Sequence, residues 1–175
     1  MRVFHHSAVR RYFSSHKEVL LRLSTEGMAA LAEFVCSALD GSQERSPADV
    51  GAVLSRALIE APLFCDLLGS HYLHLEHEVE LGQVREAQRV NQAAAMTMVD
   101  AIERAVPELD RNSALDIVTS AFALSGMLWQ FTHPPEGLEH DFKEEPGFPQ
   151  DWDTDFASTL TRLLTATCIG AAKTP

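Results

Sequence analysis

No apolar run in these 175 residues approaches the ~18 needed to cross a bilayer. That excludes a membrane-spanning reading and leaves a soluble chain with no membrane partner. The first residues are basic, but no apolar stretch follows them, so the signal-peptide pattern is missing as well. Cysteine is scarce: Cys36, Cys65 and Cys168 are odd in number and far apart. They cannot build a disulfide framework and fit a reducing, cytoplasmic compartment, each as a small core residue. There is no glycine-rich phosphate loop, no nucleophile elbow and no carboxylate pair set apart from ordinary charged faces. These absences argue against an enzyme and against a cofactor. Strand-like alternation nowhere outweighs helical spacing, and no internal repeat stands out.

Basic residues are few as well, 14 Lys and Arg against 25 Asp and Glu, for a net charge of −11. Their distribution matters more than their number. Residues 1–24 hold Arg2, Arg10, Arg11, Lys17 and Arg22 against Glu18 alone, a charge of +4 that leaves −15 on the rest. A basic tip on an acidic body concentrates any attraction for phosphate in one place.

That tip has internal order. Arg10, Arg11 and Tyr12 crowd one turn, with Val9 and Phe13 four apart on the opposite side. Ser15 and Glu18 have capping-box spacing, so a short basic helix, a tight polar break and a second helix are expected. Arginines and a tyrosine on one exposed turn suit phosphates and base edges.

The run Ser-Ala-Val-Arg-Arg-Tyr-Phe-Ser-Ser-His-Lys-Glu-Val-Leu-Leu, residues 7–21, resembles the end of the helix-turn-helix in the TetR family of transcriptional regulators. In that family the recognition helix closes on an aromatic residue, here Phe13, before a two-residue turn, here Ser14-Ser15. His16 stands where the family usually has Lys or Arg. The resemblance implies that His6, Ser7, Ala8, Arg10, Arg11 and Tyr12 line the DNA-facing side of the recognition helix. Arg10, Tyr12 and His16 would meet phosphates, and His6 and Arg11 base edges. Only Met1 to Phe4 precede the recognition-helix stretch that opens at His5, where the family has about two further helices. The DNA-binding head is therefore expected to be incomplete. The resulting division is a partial head over 1–40 and an effector-binding and dimerisation domain over 41–175.

The remaining chain reads as an all-α, TetR-like helical bundle. Leu20, Leu23, Gly27, Leu31, Phe34 and Ala38 predict one long helix to about Leu39, ended by Asp40-Gly41. Ser46-Pro47-Ala48-Asp49 opens a second, to about Glu60. Pro62 opens a third, and a fourth spans about 80–106 with Val84, Ala87, Asn91, Ala94, Met98, Ile102 and Ala105 along one stripe. Residues 114–131 carry two apolar faces, Leu115, Val118, Phe122 and Trp129 on one, Ile117, Ala121, Leu124, Leu128 and Phe131 on the other. The last helix, about 152–170, repeats this more weakly. Helices apolar on two sides are buried on two sides. The resemblance places the interface of a homodimer here, on Ile117, Ala121, Leu124, Leu128, Phe156, Leu160, Leu163 and Leu164. The other reading is a central helix of a monomeric bundle. Residues 133–155, with four prolines and a charge of −7, form an acidic connection.

Phe64, Leu68, Tyr72, Asn91, Met96, Met98, Phe122 and Trp129 fall on the three middle helices. They read either as plain core or as an apolar pocket with a few polar groups. The resemblance favours the pocket, for a small apolar or amphipathic effector that alters the affinity for operator DNA. His71, His74 and His77 rotate around a helix instead of converging, so no metal is expected. Two functions follow. The first is a ligand-responsive regulator, a repressor in the commonest family form. The second is a dimeric small-molecule-binding or interaction protein without DNA binding.

Overall fold

The structure is a computed structural model. It describes residues 15–41, 44–74, 79–134 and 155–173, with residues 70–74 described by backbone alone. The side chains of His71, Tyr72 and His74, the whole of His77, the acidic connection over 135–154 and the residues before Ser15 that were expected to face DNA lie outside the described residues.

Six helices make up the described residues, with no strand among them: α1 His16–Leu39, α2 Pro47–Ile59, α3 Pro62–His74, α4 Leu81–Ala105, α5 Arg111–Thr132 and α6 Phe156–Ala171. At the head of α1 half of the expected capping box forms: the Glu18 amide donates to Ser15 Oγ at 3.1 Å, while the Glu18 carboxylate accepts from Gln83 instead of reaching back to the Ser15 amide. A full capping box joins Ser46 and Asp49 at α2. Asp110 and Asp155 cap α5 and α6 by accepting the amides of Ser113 and Ser158, at 2.8 and 2.7 Å. Gly41, at φ +145°, turns the chain after α1 in a conformation that favours glycine.

The packing is all-α, with α1 laid along α4, α2 along α6, and α5 bordered by α3, α4 and α6. Glu18 meets Gln83 near the start of the first pair, and Cys36 meets Thr97 farther along, so α1 and α4 run parallel. The main core joins all six helices through Leu31, Val35, Leu54, Leu58, Cys65, Met98, Ile102, Ile117, Leu160 and Leu164. By length and composition α5 is apolar enough to cross a membrane; a third of that stretch is buried, and the helix packs on α3, α4 and α6.

The period of α1 is as expected but its phase is one residue off. The buried face is Leu21, Ser24, Met28, Leu31, Ala32, Val35 and Leu39, and Leu23 is exposed. Several of the four apolar residues in Val19-Leu20-Leu21-Arg22-Leu23 could have led the stripe. Packing along the whole of α4 selects Leu21, which joins Val84 and Ala87 in a second small core.

Candidate functional site

Three regions hold the residues on which function can rest: the paired starts of α1 and α4, the middle of the bundle, and the outer side of α5 and α6.

At the first, Gln83 Nε2 donates to Glu18 Oε1 at 2.7 Å, joining two helices that are 65 residues apart in the chain. Arg22 Nε donates to Glu26 Oε1 at 2.9 Å along the outside of α1. His16 is exposed on the first turn of α1. Between the two helices lies a groove of about 430 Å³.

In the middle, Phe64 is buried and its ring packs edge-on to Phe122, with centroids 6.2 Å apart. A Cβ built on Gly27 would lie 2.9 Å from Phe64 Cδ2, and one on Gly126 3.1 Å from Leu68 Cβ. These glycines let α3 approach α1 on one side and α5 on the other. Met98 is fully buried, whereas Leu68, Met96 and Phe122 are partly buried against the core. Asn91 is also only partly buried, but its Oδ1 is shut away from solvent with no hydrogen-bond partner. A buried acceptor of that kind calls for a donor. Trp129 belongs elsewhere: it stacks on His133 at 3.6 Å and meets Phe156 edge-on at 5.1 Å, at the junction of α5 with α6. The expected pocket residues therefore divide. Phe64 and Met98 are core, Trp129 braces the α5–α6 corner, and Leu68, Asn91, Met96 and Phe122 keep some exposed surface.

The match spans residues 22–175 and is to the family described as tetracyclin repressor-like, C-terminal domain. The chain belongs to the TetR family. No curated protein matches it. This TetR-like domain thus begins inside α1 and takes in the rest of the bundle, and it associates the chain with transcription regulation and ligand binding in general.

On the outer side, the residues expected at a dimer interface also divide. Ile117, Ala121, Phe156, Leu160 and Leu164 are buried inside the single chain and have almost no surface left to offer a partner. Leu124, Leu128 and Leu163 keep partial exposure. Three large apolar side chains on α5 stand out instead: Leu115, Met127 and Phe131, at 42%, 59% and 65% exposed. Met127 and Phe131, four residues apart, share one face, while Leu115 lies roughly 160° round the helix from Phe131. Periodicity marked α5 as apolar on two sides but could not tell which side its own neighbours would cover. Leu115 was assigned to a face with Val118, which is buried, while Leu115 itself is open.

All three cysteines are free thiols. Burial pushes the Cys65 and Cys168 thiols up to about 12. The half-exposed Cys36 is also raised, chiefly by desolvation. No group of three or more His, Cys, Asp or Glu residues among the described residues is placed to hold a metal ion.

Proposed function

We propose that this chain is a ligand-responsive transcriptional regulator that acts as a homodimer, with operator DNA held by its N-terminal stretch. The observation that carries the proposal is the tetracyclin repressor-like domain over residues 22–175, directly preceded by a basic segment on an acidic body. On this reading His6, Ser7, Ala8, Arg10, Arg11, Tyr12 and His16 form the DNA-facing set. Arg10, Tyr12 and His16 hold phosphates, and His6 and Arg11 read bases. The effector is small and apolar or amphipathic, and sits against Leu68, Asn91, Met96 and Phe122. The unpaired Asn91 Oδ1 accepts from its donor group. The subunits meet through the outer sides of α5 and α6, with Leu124, Leu128 and Leu163 at the margin of the contact. The function is that of a repressor: effector binding shifts the separation of the two heads and lowers operator affinity.

Fluorescence anisotropy on the intergenic DNA upstream of the coding sequence tests this. Affinity should fall steeply between low and physiological salt, and Arg10→Ala should flatten that slope by about one phosphate contact. A dimer whose weak DNA binding is indifferent to Arg10 would overturn the DNA-binding assignment and favour a ligand-binding protein instead.

A further inference from the structure

The stripes along which α1 and α4 meet are apolar at both ends and polar in between. Near the helix starts, Leu21 joins Val84 and Ala87 in the small core. Farther along, Met28, Leu31 and Val35 join Met98 and Ile102 in the main core. Between the two, α1 buries Ser24, 3% exposed, and α4 carries the partly buried Asn91. Thr25 and Val90 line the groove that parts the helices there. Helix α1 is also weak at this level. Ser24 and Thr25 have lower helix propensity than the Leu23 and Glu26 that flank them. Thr25 Oγ1 donates back to the Leu21 carbonyl at 2.9 Å, a bond that tends to bend a helix. Just beyond, Gly27 is held against Phe64, where an added Cβ would lie 2.9 Å from Cδ2.

Opening this end of the helix pair sacrifices a core of three buried side chains and the hydrogen bond from Gln83 Nε2 to Glu18. In return it lets water reach Gln83 Oε1 and, at the boundary, Asn91 Oδ1. These are the two buried side-chain atoms without a hydrogen-bond partner among the described residues, and each weakens the closed state. We propose that the starts of α1 and α4 form a separate unit, hinged at Ser24 and Thr25, that opens as one piece while the rest of the bundle stays folded. The residues before Ser15 lead directly into this unit, so it sets their position against the bundle. That the hinge thereby places DNA-binding residues, and that an effector against Asn91 acts at it, rests on the proposed function; the opening itself does not.

Native-state hydrogen exchange on the ¹⁵N-labelled chain tests it. The amides of Leu21, Arg22 and Leu23 on α1 and of Ala87, Gln88 and Arg89 on α4 should exchange as one group, roughly tenfold or more faster than those of Val35 and Ile102. Ile117→Val, within the main core, should speed Val35 and Ile102 roughly three- to tenfold. It should leave the first group unchanged, because the opened form keeps the main core intact. Asn91→Leu, which carries the apolar stripe of α4 across the gap, should slow the first group toward the rate of the main core. Protection that declines residue by residue toward Ser15 would be ordinary end fraying and would overturn the hinge. So would a common acceleration of every amide by Ile117→Val, or indifference to Asn91→Leu. Operator binding, measured separately on the same chain, decides the DNA assignment: group-wise opening without operator affinity keeps the hinge and removes that reading.

Discussion

Phe64 occupies the space in which a side chain on Gly27 would begin. An ideal Cβ there lies 2.9 Å from Phe64 Cδ2 and 3.3 Å from Phe64 Cβ. The ring has little room to withdraw, since it is 4% exposed and set edge-on to Phe122. Alanine in place of glycine within a helix ordinarily stabilises by about 1 kcal/mol. Here overpacking outweighs that gain, and Gly27→Ala should lower stability by roughly 1–2 kcal/mol in urea unfolding. Adding Phe64→Leu should make the double variant more stable than the two separate losses predict. Strict additivity would mean that the ring moves freely.

Gly51 poses the same problem against an obstacle that cannot rotate away. Its Cβ would fall 2.7 Å from Thr165 Cα and 2.9 Å from Thr165 N, both backbone atoms of α6. The only relief is to part α2 from α6. Gly51→Ala should therefore cost more than Gly27→Ala, on the order of 3 kcal/mol. Thr165→Ala should not rescue it, because the clash is not with the threonine side chain. Rescue by Thr165→Ala would show that the helices sit farther apart than this.

These two contacts show where sequence reasoning stopped. Helix starts were legible where their chemistry is local: Ser15 to Glu18 and Ser46 to Asp49. The all-α class and the stripe of α4 through Val84, Ala87, Met98 and Ile102 were legible for the same reason. Contacts between distant residues were not. Gly27 was placed on the inward face of α1, but no pattern in the chain connects it with Phe64, nor Gln83 with Glu18. The interface residues were chosen for apolarity, which the deepest core shares. Leu160 and Leu164 are accordingly buried in the subunit, while Met127 is open.

The helix caps predict an acid-sensitive fold. Asp49, Asp110 and Asp155 all have carboxyls held below the usual 3.8, first by backbone amides, of Ser46, Ser113 and Ser158 respectively. A carboxyl depressed in the folded state stabilises it above the unfolded value, and that contribution is lost as pH falls through the folded value. The melting temperature should thus be insensitive to these groups at neutral pH and decline from about pH 4 downward. Asp110→Asn with Asp155→Asn keeps the capping acceptors without the charge. The pair should change the melting temperature little at pH 7 and make the acid decline shallower. An unchanged acid limb would remove the caps from the cause.

Dimerisation offers the sharpest separation of two roles that apolar residues can play. Leu160 is wholly inside the subunit, so Leu160→Ala should cost about 2–5 kcal/mol of stability through cavity formation. It should leave the stoichiometry of the folded fraction as it was. Met127 and Phe131 are more than half exposed and four residues apart on one ridge of α5. Such side chains add little to the stability of a lone subunit, and a contiguous apolar ridge marks a contact surface. Met127→Glu with Phe131→Glu should then yield a folded monomer by sedimentation equilibrium, at concentrations where the unmodified chain, on the proposed function, is a dimer. Two carboxylates brought against their own copies across a two-fold interface meet both desolvation and like-charge repulsion. If the unmodified chain sediments as a monomer at tens of micromolar, or the doubly charged variant stays dimeric, the α5–α6 surface is not where the subunits join.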